Sequence, residues 1–303
     1  MTATHPETDL GPMGTPTIWE EGSIEPAPPE RPAGQSRWSR WLRVAAPLAT
    51  FAISIGIWYF VSYVMMDENR RRIALPPPHV VLQEGFLTWE ENKGLRPILE
   101  AMLVTGRVAL TGLVIATVLG LLVAIAMNGA KWVEWSIFPY AVLIQTLPIL
   151  ALVPIIKIWF GSNITSRVIA CVLIAIFPII TNTLFGLQSA DRTHHDLFSL
   201  HRAGRFTRLR KLELPGAMPA IFTGLRIAAG GCVIGAIVGD FFFRQGAIGI
   251  GRLIDNYQKD TRTPELFAAA AVSSLFGIGI FVMFGFLSNR VLRSWHESAR
   301  AES

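Results

Sequence analysis

Six long apolar runs constrain this chain more than any other feature. They cover residues 44–66, 108–127, 137–160, 168–187, 218–243 and 266–287. A hydrocarbon core about 30 Å thick takes roughly 20 residues of helix to cross. A membrane barrel would show shorter segments of alternating polarity instead. The expected fold is therefore all-α, a polytopic membrane protein with six transmembrane helices. Charged residues make up only 16% of the chain, against about 25% in soluble domains, which argues against a soluble enzyme.

The runs also divide the sequence. Residues 1–43 form a tail rich in Pro, Gly, Glu and Thr, too poor in apolar residues to offset its ordering entropy, and are expected to be disordered. Within it, Arg37, Trp38, Arg40, Trp41 and Arg43 make a basic-aromatic collar suited to a headgroup interface. No basic stretch followed by an apolar segment precedes residue 44, so no cleavable secretory signal is expected. Residues 44–66 are the first span and 67–107 an extracytoplasmic segment. Residues 108–292 hold the other five helices and a cytoplasmic loop over 190–217, and 293–303 form a second tail.

The basic residues concentrate in short segments on the side of the N-terminus, notably over 202–211. The positive-inside rule then puts both termini in the cytoplasm. This reading absorbs the formal charge of +5, and nucleic-acid binding is not expected. Cys171 and Cys232 both lie inside apolar runs. They provide neither a disulfide framework nor metal-ligand spacing. His194, His195 and His201 sit in basic surroundings and read as ordinary loop residues, so no metal and no cofactor is expected.

The most informative segment is the loop ADRTHHDLFSLHRAGRFTRLRKLELPGAMP over 190–219. Loops of this length are commonly functional. A short helix is expected over 196–201, with a break at Ala203-Gly204. In a second helix, Phe206, Leu209 and Leu212 share one face, while Arg202, Arg205, Arg208 and Lys211 occupy others. Pro215, lacking an N–H, should end that helix. The result is a basic-rimmed helical bracket able to dock on a soluble partner. The plainer reading is a solvated loop that only holds topology.

Within the spans, Gln145 and Thr146 lie between Pro139 and Pro148. A proline-broken helix can offer backbone carbonyls to a cavity, so these two are candidate pathway residues. Gly235 and Gly239, with Gly224, Gly230 and Gly231, form a small-residue face for close helix packing, inside one subunit or between two. Arg107, Lys157 and Asp240 lie near span edges, where snorkelling would explain them. The glycines at 246, 249 and 251 have no preceding strand and are read as loop flexibility near an entrance. Leu75-Pro76-Pro77-Pro78 favours an extended stretch, followed by a short interfacial helix over 79–87.

The loop also resembles a known family. Asp196-Leu197-Phe198, with the basic stretch that ends in Leu212-Glu213-Leu214-Pro215, is similar to the EAA loop of binding-protein-dependent ABC importer permeases. Anchored on Leu214-Pro215, the loop's glutamate position falls on Asp196 and its alanines on Leu197 and Phe198. Its glycine falls on Arg202 and its isoleucine on Leu212; Gly204 stands two places beyond the glycine position. The stretch 217–243 and the Leu75–Pro78 element resemble the nitrate/sulfonate/taurine branch, and 238–246 the thiamine-pyrimidine and riboflavin subgroup.

The resemblance implies a type I ABC importer permease of a bacterial cell (inner) membrane. Its partners would be ATP-binding subunits gripping the loop (Arg205 included), an extracytoplasmic solute-binding protein, and a second permease subunit, commonly a homodimer. The cargo would be a small organic solute: a vitamin or heterocyclic precursor, a sulfonate, or the nitrate class. No Gly-x-x-x-x-Gly-Lys-Ser/Thr loop occurs, so ATP hydrolysis is expected on a separate subunit. The alternative is an ion-gradient-driven carrier or channel. Against it, Asp240 is the one acid in an expected span and no internal repeat is visible.

Overall fold

The computed structural model describes residues 37–292. Residues 1–36 and 293–303, where most of the first expected tail and all of the second fall, lie outside the described residues. The helices follow one another as α1 (Arg37–Val64), α2 (Glu68–Ala74), α3 (Pro78–Val80, continued by a π-helical turn over Val81–Leu87), α4 (Leu95–Gly129), α5 (Lys131–Thr146) and α6 (Ile149–Phe160). Then come α7 (Ile164–Gln188), α8 (Arg192–Leu200), α9 (Arg205–Arg208, continued by a π-helical turn over Leu209–Glu213), α10 (Leu214–Phe242), α11 (Ile250–Lys259) and α12 (Thr263–Leu292). Among the described residues, five helices are long and apolar enough to cross a membrane. The bent pair α5 and α6 makes a sixth span if counted as one.

The chain divides into two compact units, 1–56 and 57–303. The first is described over α1 alone, where Leu48, Phe51 and Ile53 are exposed, as suits a lipid-facing helix. Thr50 and Ser54 donate their hydroxyls to carbonyls one turn back, at Ala46 and Thr50, so neither presents an unsatisfied group to hydrocarbon.

The second unit is built on α4, α7 and α10. Val108, Leu113 and Ala116 of α4 meet Cys171, Ala175 and Ile179 of α7 and Ala228, Cys232 and Ala236 of α10. Small residues set the spacing. A Cβ on Gly235 would stand 3.1 Å from the Cα of Cys171, and one on Gly239 3.2 Å from the Cα of Arg167. These two glycines therefore face α7 of the same chain. Three further helices close the unit, with Val81 after α3, Ile250 and Tyr257 of α11 and Ala268 of α12 gathered around Ile98 of α4. The Pro-rich element is held by Trp58, whose indole N–H donates to the Pro76 carbonyl at 3.1 Å, and by Ser62, which donates to Leu75 at 2.9 Å.

Several expected boundaries need correction. α4 begins at Leu95, so 95–107 is helical rather than part of an irregular segment. Exposed Arg96 and Glu100, paired at 3.0 Å, hide the buried stripe of Ile98, Ala101, Met102 and Thr105. The third run is not one helix: α5 and α6 meet at a bend of 103°, where Pro148 in extended conformation interrupts the backbone ladder. Pro215 ends nothing. The helix runs from Arg205 to Phe242, and Pro215 sits in the first turn of α10, directly after the π-helical turn. That turn, closed by the Leu214 N–H on the Leu209 carbonyl, widens the helix where a proline ring would otherwise meet the carbonyl four residues back.

Candidate functional site

The loop over 190–217 starts at Asp191, whose carboxylate accepts the Thr193 N–H at 2.9 Å and caps α8. That backbone hydrogen bond holds the Asp191 carboxyl below its ordinary range. On α8, Asp196 is exposed. Leu197 is 51% exposed and Leu200 82%, and across the turn Phe206 is 74% exposed. Three bare apolar side chains on one short bracket are unusual for a solvated loop.

Ala203 and Gly204 lie in the break between α8 and α9, as expected, and the left-handed residue of that break is Arg202. The Ala203 N–H reaches the Phe198 carbonyl and the Arg202 N–H the Ser199 carbonyl, both at 2.9 Å. This six-to-one and five-to-two pair is a Schellman ending. It puts Arg202 at φ +50°, the left-handed position that glycine fills without strain. Gly204 has an ordinary φ of −64° and caps α9. The chain thus turns at the residue on which the EAA-loop glycine position falls, with arginine standing there.

Beyond the turn the expected apolar face splits. Phe206 points outward while Leu209 and Leu214 pack on Leu187, Ala217 and Ile221; Leu212 is half-buried. The π-helical turn resets the helical register between them, so a period read at ordinary spacing fails across it. Glu213, which sequence reasoning passed over, is buried and anchors this region. It accepts the Arg208 Nε at 3.1 Å and the Asn128 amide at 2.7 Å, tying α9 to the end of α4. An acid flanked by leucines inside a basic run was the available signal. Beside it opens a cleft of about 720 Å³ lined by Asn128, Lys131, Gln188, His195, Arg205 and Phe206.

Gln145 and Thr146 lie at the end of α5, at the 103° bend, and both are exposed. The Thr146 hydroxyl donates to the Leu143 carbonyl at 2.9 Å, which also accepts the Leu147 N–H at 3.1 Å.

At the opposite end of the core helices, Asp240 does not snorkel. It is fully buried and pairs with Arg167, itself 1% exposed, at 3.0 Å. The other Asp240 oxygen accepts the Thr105 hydroxyl at 2.5 Å, and Thr105 in turn accepts the Ile250 N–H at 2.8 Å. Arg167 also donates to the carbonyls of Phe243, Gln245 and Ala247 at 2.9–3.0 Å. Gly249 and Gly251 are packed against Asp240 so closely that a Cβ on either would collide, on Gly249 with the carboxylate itself. These two glycines supply close approach rather than flexibility. Arg167 stands one residue before the fourth apolar run, and its partner lies 73 residues away in the sequence. Among the described residues no group of His, Cys, Asp and Glu side chains suited to a metal comes together.

Residues 116–293 match the family model described as binding-protein-dependent transport system inner membrane component. The formylaminopyrimidine transport permease protein ThiX of Halalkalibacterium halodurans is 36% identical over 186 residues, covering 61% of this chain and 73% of that protein. The riboflavin transport system permease protein RibX of Chloroflexus aurantiacus is 33% identical over 168 residues, 55% of this chain and 62% of that one. The taurine transport system permease protein TauC of Escherichia coli is 27% identical over 265 residues, 86% and 93%. Among solved structures, an amino acid ABC transporter crystallised with histidines aligns at a TM-score of 0.51 and 16% identity, over 64% of this chain and 93% of that one, a likeness of fold. The chain belongs to the binding-protein-dependent transport system inner membrane components, the permease subunits of ABC importers.

Proposed function

We propose that the α8–α9 bracket is where separate ATP-binding subunits grip this permease, and that Asp196, Leu197, Phe198, Arg202, Gly204, Arg205, Leu212, Leu214 and Pro215 form the coupling surface. One observation carries this reading: the bracket is continuous with a span. From Arg205 to Phe242 the helix is unbroken for 38 residues, about 57 Å at the helical rise. A displacement of α9 is thereby delivered along the whole of α10 instead of being lost in a flexible loop. The exposed Leu197, Leu200 and Phe206 supply apolar contact, and Arg202, Arg205, Arg210 and Lys211 a basic rim. As a member of its family the chain is a transporter subunit, not an enzyme and not an ion-gradient carrier.

In this reading the bracket faces the cytoplasm, both termini are cytoplasmic, and the Arg167–Asp240 end faces outward toward the solute-binding protein. Two copies of the permease make the pathway, to which the bend at Gln145 and Thr146 contributes. ATP binding draws the brackets of the two copies together and turns the pathway outward; hydrolysis and product release return it. The cargo is a small organic solute of the vitamin or heterocyclic-precursor, sulfonate or nitrate class, in line with what the relatives' names say those proteins transport.

The test is Asp196→Arg in the importer reconstituted with its ATPase subunits and binding protein. The carboxylate is exposed, so insertion and folding should stand while transport falls and ATPase activity persists uncoupled. Full transport by that variant removes the role given to the bracket.

A further inference from the structure

We propose that the cleft beside the α8–α9 bracket is a binding site for an organic phosphate, and that its occupant is the headgroup of an anionic phospholipid. The cleft measures about 720 Å³, the size of an organic-ligand pocket and far more than a bare phosphate ion would fill. It opens where three helices reach one end of the core: α4 closes at Gly129, α5 starts at Lys131 and α7 closes at Gln188. Trp132 and Trp135, in the first turns of α5, are exposed, and tryptophans so placed mark the headgroup level of a bilayer. A lipid phosphate therefore reaches the cleft without entering hydrocarbon. The inference uses the place of the bracket at the helix ends, not its grip by an ATPase.

The lining has two parts. Ile125, Leu187 and Leu209 pack together as an apolar floor, suited to a glycerol backbone and the first methylenes of an acyl chain. Lys131, Arg205 and Arg208 line the same cleft, with half-buried His195. Glu213 is the one acid among the described residues that line it, and Asn128 and Arg208 already hold it. Glu134, one turn on from Lys131, accepts from Lys131 and Gln188 on a single oxygen. The Arg205 guanidinium has no hydrogen bond or ion pair among the described residues, which leaves all its donors for a ligand. A planar guanidinium matches two phosphate oxygens at once, and a lysine adds a point charge. α5 begins at the edge of the cleft with no side-chain cap, so its first-turn N–H groups add positive potential. Basic pockets of this kind between transmembrane helices bind anionic lipid headgroups. A choline headgroup would set its own cation against these residues, so the lining selects phosphatidylglycerol over phosphatidylcholine. A phosphate shared by Arg205 of α9 and Lys131 of α5 ties the bracket to the start of a second helix. The freedom of the bracket then depends on the anionic content of the bilayer.

The test is phenylglyoxal labelling of the full chain in lipid nanodiscs. The reagent modifies free guanidinium groups, and the chymotryptic peptide 201–206 carries both Arg205, in the cleft, and Arg202, exposed and outside its lining. Phosphatidylglycerol nanodiscs should slow Arg205 at least about fivefold relative to phosphatidylcholine, a site about four-fifths filled, and change Arg202 by less than about twofold. Lys131→Glu reverses one charge of the cleft at an exposed position and should remove most of that protection. In phosphatidylcholine nanodiscs, glycerol phosphate is the soluble probe and glycerol its neutral control. Protection by glycerol phosphate there, with none from phosphatidylglycerol, would support the phosphate site and overturn a lipid as its occupant. Equal slowing of Arg205 and Arg202 would reduce the effect to surface potential and overturn the proposal. So would protection that survives Lys131→Glu unchanged, equal protection by glycerol, or none from either phosphate. No ATPase takes part, so this proposal and the Asp196→Arg coupling assay fail separately.

Discussion

Replacing Arg167 by Met should be the most damaging single change at the far end of the core. Asp240 and Arg167 are both fully buried and meet at 3.0 Å, and removing one partner of such a pair typically costs about 3–5 kcal/mol because the other charge is left uncompensated. Arg167→Met also takes the donors from three carbonyls, those of Phe243, Gln245 and Ala247, and an orphaned buried acceptor adds about 1–3 kcal/mol where water cannot replace the donor. Asp240→Asn is milder. It neutralises one member but leaves Arg167 its carbonyls and retains an acceptor for Thr105. The double variant should fall well short of the sum of the two singles, since it leaves no unpaired charge. The assay is unfolding of the purified chain in mixed micelles by rising SDS, followed by tryptophan fluorescence, with all four members of the cycle side by side. Singles within about 0.5 kcal/mol of the parent, or singles that simply add, would refute the reasoning.

Three further outcomes are expected. Arg202→Gly should stabilise the bracket by about 1 kcal/mol, because an L-residue at φ +50° carries a penalty of that order; slower amide exchange over 198–203 would show it, and faster exchange would deny it. Gly249→Ala should lower stability by about 1–3 kcal/mol, as the added methyl meets the Asp240 carboxylate, while Gly246→Ala, with open space there, loses only the ease of a positive φ. Asp191 has its carboxyl pushed down in the folded chain. Its contribution to α8 is therefore complete above the ordinary aspartate range near pH 4 and is lost as pH falls through the lowered folded value. Amide protection of α8 should drop in that acid window and become flat in Asp191→Asn, which still caps.

The apolar runs disclosed the helices because membrane spans satisfy every backbone group internally and need little beyond length and composition. Boundaries were lost where polar residues ride a buried helix, as Arg96 and Glu100 do on α4, or where a single residue bends the ladder, as Pro148 does. The loop's importance was legible from its length, charge and ending in Leu214-Pro215. Its break at Ala203-Gly204 was legible too, but the left-handed arginine that makes the turn was not, because such a residue leaves no trace in a periodicity. Pro215 misled for a related reason: a widened turn removes the clash that makes proline a helix breaker, and propensity carries no sign of that widening. The Arg167–Asp240 pair was invisible in one dimension. Each residue taken alone sits at a span edge, and only the packing of α7, α10 and α4 shows that the two share one buried site.

The most direct test of the bracket's role is photo-crosslinking in native membranes, with the reactive group carried at Phe206 in one sample and at Ile248, exposed at the other end of the core, in a second. Mass spectrometry of the Phe206 adduct should identify a P-loop ATPase subunit, and the Ile248 adduct an extracytoplasmic binding protein or no protein at all. An ATPase captured at Ile248 and absent from Phe206 would contradict both the orientation and the grip assigned to α8 and α9.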